Sequence, residues 1–143
     1  ATGADVRVIE MSESRRAFAS KFGMATAPEW DGQPADVVFD ATGNAKSMER
    51  SFDFVAQGGR LVFVGLVLDR ISFDDPSFHR REMTLLASRN SAGLFPQIIQ
   101  MIEQGVIDTS PWITHRMRLD EVPREFPLLR TREQLVKAVI DVE

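Results

Sequence analysis

The fold is decided by Asp36-Val37-Val38-Phe39-Asp40-Ala41-Thr42-Gly43-Asn44 and, after a helix-like segment, Gly58-Gly59-Arg60-Leu61-Val62-Phe63-Val64-Gly65-Leu66. Each run is apolar without alternation, which is typical of a parallel strand buried on both faces. Two such strands joined by a helix predict a right-handed βαβ unit. In open α/β sheets ligands bind at the carboxyl ends of the strands. The small residues that end each run are therefore candidate site residues: Ala41, Thr42, Gly43, Val64, Gly65 and Leu66.

Weaker patterns on either side of this unit continue the alternation of strands and helices. Further strands are predicted at Val6–Glu10, Met24–Thr26, Met83–Ala87, Ile113–Leu119 and Val136–Val142. Helices are predicted at four places: after Ser12 or Ser14, along Met48–Val55 up to Gly58-Gly59, at Phe95–Ile102 and at Asp120–Leu129. Asp75-Pro76 is predicted to interrupt the loosely alternating segment Leu68–Phe78. The order indicates an α/β fold with a Rossmann-type, doubly wound parallel sheet.

Composition excludes several classes of function. The 143 residues suit one domain. The net charge of −4 gives no sign of the basic surface that binds nucleic acid or an anionic membrane. The apolar runs are too short to span a bilayer, and we expect no signal peptide and a cytoplasmic location. The chain has no Cys and no Tyr, which excludes a thiolate nucleophile and a phenolic acid or base.

Glu10 follows the first predicted strand and precedes a helix. An acid in this place accepts hydrogen bonds from the adenosine ribose hydroxyls in dinucleotide-binding folds, and its charge repels a 2′-phosphate, which favours NAD over NADP. The alternative is a solvated acid near a helix start. Arg15 could lie along the adenine side of the same pocket, or it could be an ordinary surface arginine like Arg16.

The other candidates also have structural alternatives. The glycines at 43 and 65 permit close approach of a flat ligand to the backbone, yet glycines often simply end strands. Ser88-Arg89-Asn90 ends the third buried strand and could bind a carboxamide or a polyhydroxy substrate, or could be an ordinary loop. His79 and His115 are better explained as solvated and structural residues, and two histidines alone make a metal site within the chain improbable.

Taken in order, these segments resemble the C-terminal part of the zinc-type medium-chain alcohol and polyol dehydrogenases. Val6–Glu10 is similar to the family's second strand with its ribose-binding acid, and Asp36–Gly43 and Gly58–Leu66 are similar to its fourth and fifth strands. Pro111–Arg116 resembles the exit from the cofactor domain. The last strand resembles the return to the catalytic domain, where Lys137 can approach the cofactor phosphates.

The resemblance implies a partial NAD-binding domain at 1–110 and, at 111–143, a segment that completes a GroES-like catalytic domain. It implies reversible hydride transfer between a secondary alcohol and NAD, with a zinc ion held only by the parent enzyme. Ser88-Arg89-Asn90 looks closest to members that act on polyols, sugars or sugar acids. The family also implies a homo-oligomer, a dimer or tetramer, with Met83–Ser88 as a plausible pairing edge.

Two features depart from the family pattern. The first strand with its G-x-G-x-x-G turn is absent, and so are the Cys, His and Glu zinc ligands. We therefore expect a truncated sheet in a fragment that is inactive alone and binds NAD weakly. The missing first strand leaves a gap between the family's second strand, here Val6–Glu10, and its fourth, here Asp36–Gly43. We expect these two strands to pair directly, or a neighbouring chain to fill the gap.

Two other functions remain open at this point. A class I methyltransferase also holds ribose hydroxyls with an acid after its second strand, but it binds S-adenosylmethionine and should show a hairpin after the strand at Met83. A regulatory domain that senses NAD(H) would need no catalytic residues.

Overall fold

The computed structural model describes residues 3–142, which form two compact units. One unit is Trp30–Ala92, and the other combines the residues through Glu29 with those from Gly93 onward. The strands are β1 Arg7–Ile9, β2 Ala25–Ala27, β3 Ala35–Asp40, β4 Val55–Phe63, β5 Thr84–Ala87, β6 Ile113–Arg118 and β7 Lys137–Asp141. The α-helices are α1 Glu13–Ser20, α2 Ala45–Arg50, α3 Asp75–Arg80, α4 Phe95–Glu103 and α5 Val122–Glu125.

The unit Trp30–Ala92 is built on a parallel sheet in the order β3-β4-β5. Its core contains Phe52, Val55, Leu61 and Met83, and Leu61 on the central strand is fully buried. The Phe52 ring stacks on Phe73 with the ring centroids 4.7 Å apart. The two decisive runs therefore form parallel strands as predicted, but β3 is not buried on both faces, because Val37 and Phe39 are 41% and 67% exposed.

Because Leu61 is fully buried, we expect Leu61→Ala to lower the free energy of unfolding by about 2–5 kcal/mol, since the substitution leaves a cavity. Urea denaturation of the protein measures this change. Leu68→Ala is the matched control, because Leu68 is 98% exposed and should contribute almost nothing. Equal losses in the two variants would contradict the assigned core.

The segment before β4 differs from the prediction. Val55 was expected on a helix ended by Gly58-Gly59, but α2 ends at Arg50, a 3-10 turn follows, and β4 begins at Val55. The two glycines form an irregularity inside the strand: Gly58 has a φ of 69° and its N–H donates to the Arg81 carbonyl over 2.7 Å. A Cβ at Gly59 would lie 2.8 Å from Val55 Cγ1.

Proline positions explain two further differences. Asp75-Pro76 was expected to interrupt regular structure, but Pro76 lies in the first turn of α3, where its missing N–H costs nothing. The helix predicted over Asp120–Leu129 is divided into a 3-10 turn, the short α5 and a second 3-10 segment. Pro123 and Pro127 each lie at the start of one of these pieces.

An exposed ion on α2 gives a pH prediction. The backbone N–H and the hydroxyl of Ser72 donate to Glu49 Oε1 and hold the pKa of Glu49 below its ordinary value. The resulting stabilisation is present above the ordinary pKa and is lost as the pH falls through the lowered one. We expect Glu49→Gln to flatten the acid side of the Tm-versus-pH curve slightly. Glu103→Gln on α4 is the control, and parallel curves for wild type and Glu49→Gln would contradict the assignment.

The second unit contains two separate pairs of parallel strands, β1 with β2 and β6 with β7. Ser12 caps α1, and the rings of Phe18, Phe22 and Trp112 form one cluster with centroids 5.1–5.4 Å apart. Within residues 3–142, the three-residue β1 pairs with β2 and no ladder joins it to β3, so the first of the two expected ways of closing the gap is not formed. Closure by a neighbouring chain stays a prediction.

Candidate functional site

The carboxyl ends of β3 and β4 are in direct backbone contact. The N–H groups of Val64 and Gly65 both donate to the Asp40 carbonyl, over 2.8 and 3.0 Å. A Cβ on Gly65 would lie 2.3 Å from Gly43 N and 2.9 Å from Gly43 Cα. The structure therefore brings together all six residues predicted at these strand ends, Ala41, Thr42, Gly43, Val64, Gly65 and Leu66.

Gly43 is required for a second reason. Its φ is 62°, and a Cβ there would lie 3.1 Å from the Leu66 carbonyl oxygen. The side chains of Val64 and Leu66 are 47% and 71% exposed. The strand ends thus present backbone and apolar groups on a surface against which a flat ligand could lie.

The third strand end adjoins the first two. The Ser88 N–H donates to the Phe63 carbonyl over 2.9 Å, which places Ser88 directly beside the end of β4. Arg89 and Asn90 follow as exposed residues. Ser88-Arg89-Asn90 therefore lies at the same edge of the sheet as the two glycine turns.

A buried carboxylate organises the turn after β3. Asp40 is 5% exposed, and its Oδ1 accepts from the N–H and the hydroxyl of Thr42 over 2.9 and 2.7 Å. Its Oδ2 accepts from the Ser47 hydroxyl over 2.8 Å. The Asn44 side chain caps α2 by accepting from the Ser47 N–H. Neither Asp40 nor Ser47 was predicted as a site residue, although an acid that ends an otherwise apolar strand is a signal that could have identified Asp40.

In the other unit, Glu10 lies directly after β1. Its Oε1 accepts from the Ser12 N–H over 2.9 Å, and its Oε2 lies 3.6 Å from Arg15 Nη1. The Glu10 side chain keeps 28% of its surface exposed, so the carboxylate is oriented and still accessible. The structure therefore brings the predicted pair Glu10 and Arg15 together.

Arg16 supports the backbone that carries Glu10, a role that was not predicted. Its Nη1 donates to the carbonyls of Glu10 and Met11, over 2.7 Å in each case, and so holds the backbone that carries the acid. A groove beside it is lined by the start of α1 and by residues 130–133, and Ser14 Oγ donates across it to the Glu133 carbonyl over 2.9 Å. Composition alone gave no reason to separate Arg16 from other surface arginines.

Lys137 is the first residue of β7 and pairs in register with Ile113. Its N–H and that of Val136 donate to Thr114 Oγ1, over 3.4 and 2.9 Å. Lys137 does not line the groove beside Arg15. Its predicted approach to the cofactor phosphates stays a prediction.

The described residues do not fit a metal centre. Within residues 3–142, no three His, Cys, Asp or Glu side chains form a group that could hold an ion. His115 is packed beside Glu125 and Arg132, and His79 lies 3.4 Å from Asp75 on an exposed helix. No helix among these residues is long and apolar enough to cross a membrane.

Comparison with known proteins identifies the family. The family model described as zinc-binding dehydrogenase matches residues 1–104. The chain belongs to this family. Because the match covers most of the chain, the family resemblance drawn from the strand ends and Glu10 is confirmed.

The chain is also similar to curated dehydrogenases. L-galactonate-5-dehydrogenase of Escherichia coli (strain K12) is 31% identical over 98% of the chain and 46% of its own length. 2-Dehydro-3-deoxy-L-galactonate 5-dehydrogenase of Pseudoalteromonas atlantica is 29% identical over 97% of the chain and 45% of its own length. The chain thus spans less than half of the length of these relatives.

Solved structures agree on the fold. An alcohol dehydrogenase of Escherichia coli CFT073, crystallised with the cofactor NADH, superposes with a TM-score of 0.89 at 17% identity, over 96% of this chain and 44% of that one. The predicted Rossmann-type α/β fold is therefore confirmed. A helix, α4, follows β5, where a methyltransferase should show a hairpin. The family match leaves the methyltransferase and NAD-sensing alternatives without support.

Proposed function

We propose that this chain forms the cofactor-binding part of an NAD(H)-dependent dehydrogenase that oxidises a secondary alcohol of a polyol, sugar or sugar acid. The observation that carries the proposal is the Glu10 carboxylate, held by the Ser12 N–H and Arg15 and still accessible. Family membership supports the dehydrogenase class. When bound, the nicotinamide ring supplies the acceptor for the hydride.

Glu10 would accept hydrogen bonds from the adenosine ribose hydroxyls. Its free lone pairs suit two hydroxyl donors, and its negative charge disfavours a 2′-phosphate, so we assign NAD rather than NADP. Arg15, 3.6 Å from Oε2, would orient the carboxylate and lie along the adenosine. Lys137 would contribute positive charge toward the phosphates.

The glycine turns would lie against the dinucleotide. A side chain at 65 is excluded by the backbone contact, so the backbone of Ala41–Gly43 and Val64–Leu66 can approach a ligand closely. The N–H groups of Thr42, Val64 and Gly65 already donate to Asp40, so the remaining backbone groups of the two turns would face the ligand. Ser88-Arg89-Asn90 would bind the carboxamide and the hydroxyl groups of the substrate. No described residue is assigned as the group that removes the alcohol proton.

Several broader features belong to the same proposal. We assign 1–110 to the NAD-binding domain and 111–143 to the catalytic domain. The substrate class follows the sugar-acid names of two curated relatives, L-galactonate-5-dehydrogenase and 2-dehydro-3-deoxy-L-galactonate 5-dehydrogenase. We propose a homo-oligomer with Met83–Ser88 at the pairing edge.

An assay of the product of the complete reading frame tests the proposal. The protein is incubated with NAD and a panel of polyols, sugars and sugar acids, and NADH formation is recorded with mass-spectrometric detection of the ketone. We expect oxidation of at least one secondary alcohol. Absence of NADH formation across the panel, together with thermal stabilisation by S-adenosylmethionine and not by NADH, would contradict the proposal.

A further inference from the structure

We propose that Asp40 is a positioning residue that holds both glycine turns in the conformation that receives the cofactor, without touching the cofactor itself. This inference rests on the proposed function. The side chain of Asp40 binds the turn after β3, and its main-chain carbonyl binds the turn after β4. One residue therefore connects the two segments assigned to the dinucleotide.

The location of Asp40 is costly for stability alone. A carboxylate that is 5% exposed loses most of its hydration, which is unfavourable unless hydrogen bonds replace the lost contacts with water. Its register partner Phe63 on β4, and Ala87 on β5, which pairs with Phe63, are both apolar. All three donors to the carboxylate come from 42–47, the segment that includes the first glycine turn.

The contacts transmit any displacement from Asp40 to Gly65. Thr42 Oγ1 donates to Asp40 and accepts from the Asn44 N–H over 3.2 Å, so Gly43 lies between two fixed residues. The space for a Cβ on Gly65 is already filled by Gly43. A turn released by loss of the carboxylate therefore either collides with Gly65 or moves away from it.

The conservative variant separates charge from hydrogen bonding. In Asp40→Asn the amide oxygen can accept from the Thr42 N–H and hydroxyl, while the amide NH₂ donates to Ser47 Oγ, which then acts as acceptor. Asp40→Asn should therefore preserve the turn. Asp40→Ala leaves the Thr42 N–H and both hydroxyls without their acceptor. The control is Ser51→Ala, because Ser51 is 2% exposed in the same unit and its hydroxyl donates to the Met48 carbonyl.

The experiment uses the complete protein and two measurements, the NADH dissociation constant and hydrogen exchange of peptides spanning the two turns. In Asp40→Ala we expect NADH binding to weaken by about tenfold or more, the effect of losing a charge-assisted hydrogen bond, and exchange to accelerate in both turns. Asp40→Asn should stay within about threefold of wild type. Ser51→Ala should lower Tm and leave the affinity and the exchange of both turns unchanged.

The outcomes distinguish this inference from the proposed function. If wild type binds NADH and Asp40→Ala binds it equally well, the positioning role is overturned and the function stands. If Ser51→Ala weakens NADH binding as much as Asp40→Ala at equal loss of Tm, Asp40 acts through stability alone and the inference is again overturned. If the wild-type protein fails to bind NADH, the proposed function is wrong. In that case hydrogen exchange still tests Asp40: if both turns in Asp40→Ala exchange as slowly as in the wild type, Asp40 does not position them.

Discussion

Gly65→Ala should abolish NADH binding by the complete protein and destabilise it by about 3 kcal/mol or more, at the upper limit of overpacking effects. The added Cβ would lie 2.3 Å from Gly43 N and 3.2 Å from the Ala41 carbonyl carbon. These are backbone atoms in a turn that Asp40 holds, so they cannot rotate away as a flexible side chain would. The two strand ends must separate, and the surface assigned to the dinucleotide is lost.

Gly105→Ala is the control for this substitution. Gly105 has a φ of 70° with nothing within 4 Å of the built Cβ, so alanine there meets only the cost of the left-handed conformation, about 1–2 kcal/mol. Urea denaturation and fluorescence titration with NADH measure both effects. Gly65→Ala with wild-type affinity would show that the contact between the turns has no part in cofactor binding.

Glu10→Gln should weaken NADH binding about ten- to hundredfold, because hydrogen bonds to a charged group contribute about 1.5–3 kcal/mol. The glutamine amide keeps one acceptor oxygen but loses the charge that orients Arg15 and repels a 2′-phosphate. Affinity for NADPH should therefore rise or stay constant while affinity for NADH falls. The ratio of the two dissociation constants, measured by calorimetry on the complete protein, reports the change in specificity.

Glu13→Gln provides the matched control, since Glu13 is an exposed acid in the first turn of α1. It removes the same charge three residues further along and should leave the cofactor ratio near that of wild type. If both variants change the ratio equally, the effect is a general one of surface charge. In that case Glu10 would not be the specificity residue.

Much of the fold was predictable because the signals are local. The apolar runs ending at Asp40 and Phe63 are too short for helices and lack alternation, which favours parallel strands. The structure contains both strands. The glycines after them mark strand ends whose backbone contact could be anticipated from the topology. The position of Glu10, after a strand and before a capped helix, was predictable for the same reason.

The errors arise where tertiary contacts override local signals. Gly58-Gly59 was interpreted as the end of a helix, but the Gly58 N–H bonds to the Arg81 carbonyl, a contact 23 residues away that turns the pair into a bulge. The guanidinium of Arg81 also donates to the Val55 carbonyl over 3.3 Å at the start of β4. Neither hydrogen bond can be predicted from the local pattern of hydrophobic residues.

The polar network around the strand ends was also not predictable. In sequence, Asp40, Thr42 and Ser47 are ordinary turn and helix-start residues. Only the folded structure shows that the Asp40 carboxylate accepts from the hydroxyls of both Thr42 and Ser47. Arg16 is similar, because its neighbour Arg15 has the same side chain and contacts the Glu10 carboxylate instead of the backbone. Side-chain direction decides these roles, and composition does not encode it.

The most direct test of the account is calorimetric titration of the complete wild-type protein with NADH and, separately, with NADPH. The carboxylate of Glu10 and the backbone surface around Gly43 and Gly65 predict saturable binding of NADH that is at least about tenfold tighter than that of NADPH. Binding of neither dinucleotide, or tighter binding of NADPH, would contradict the assignment of this chain as an NAD-binding unit.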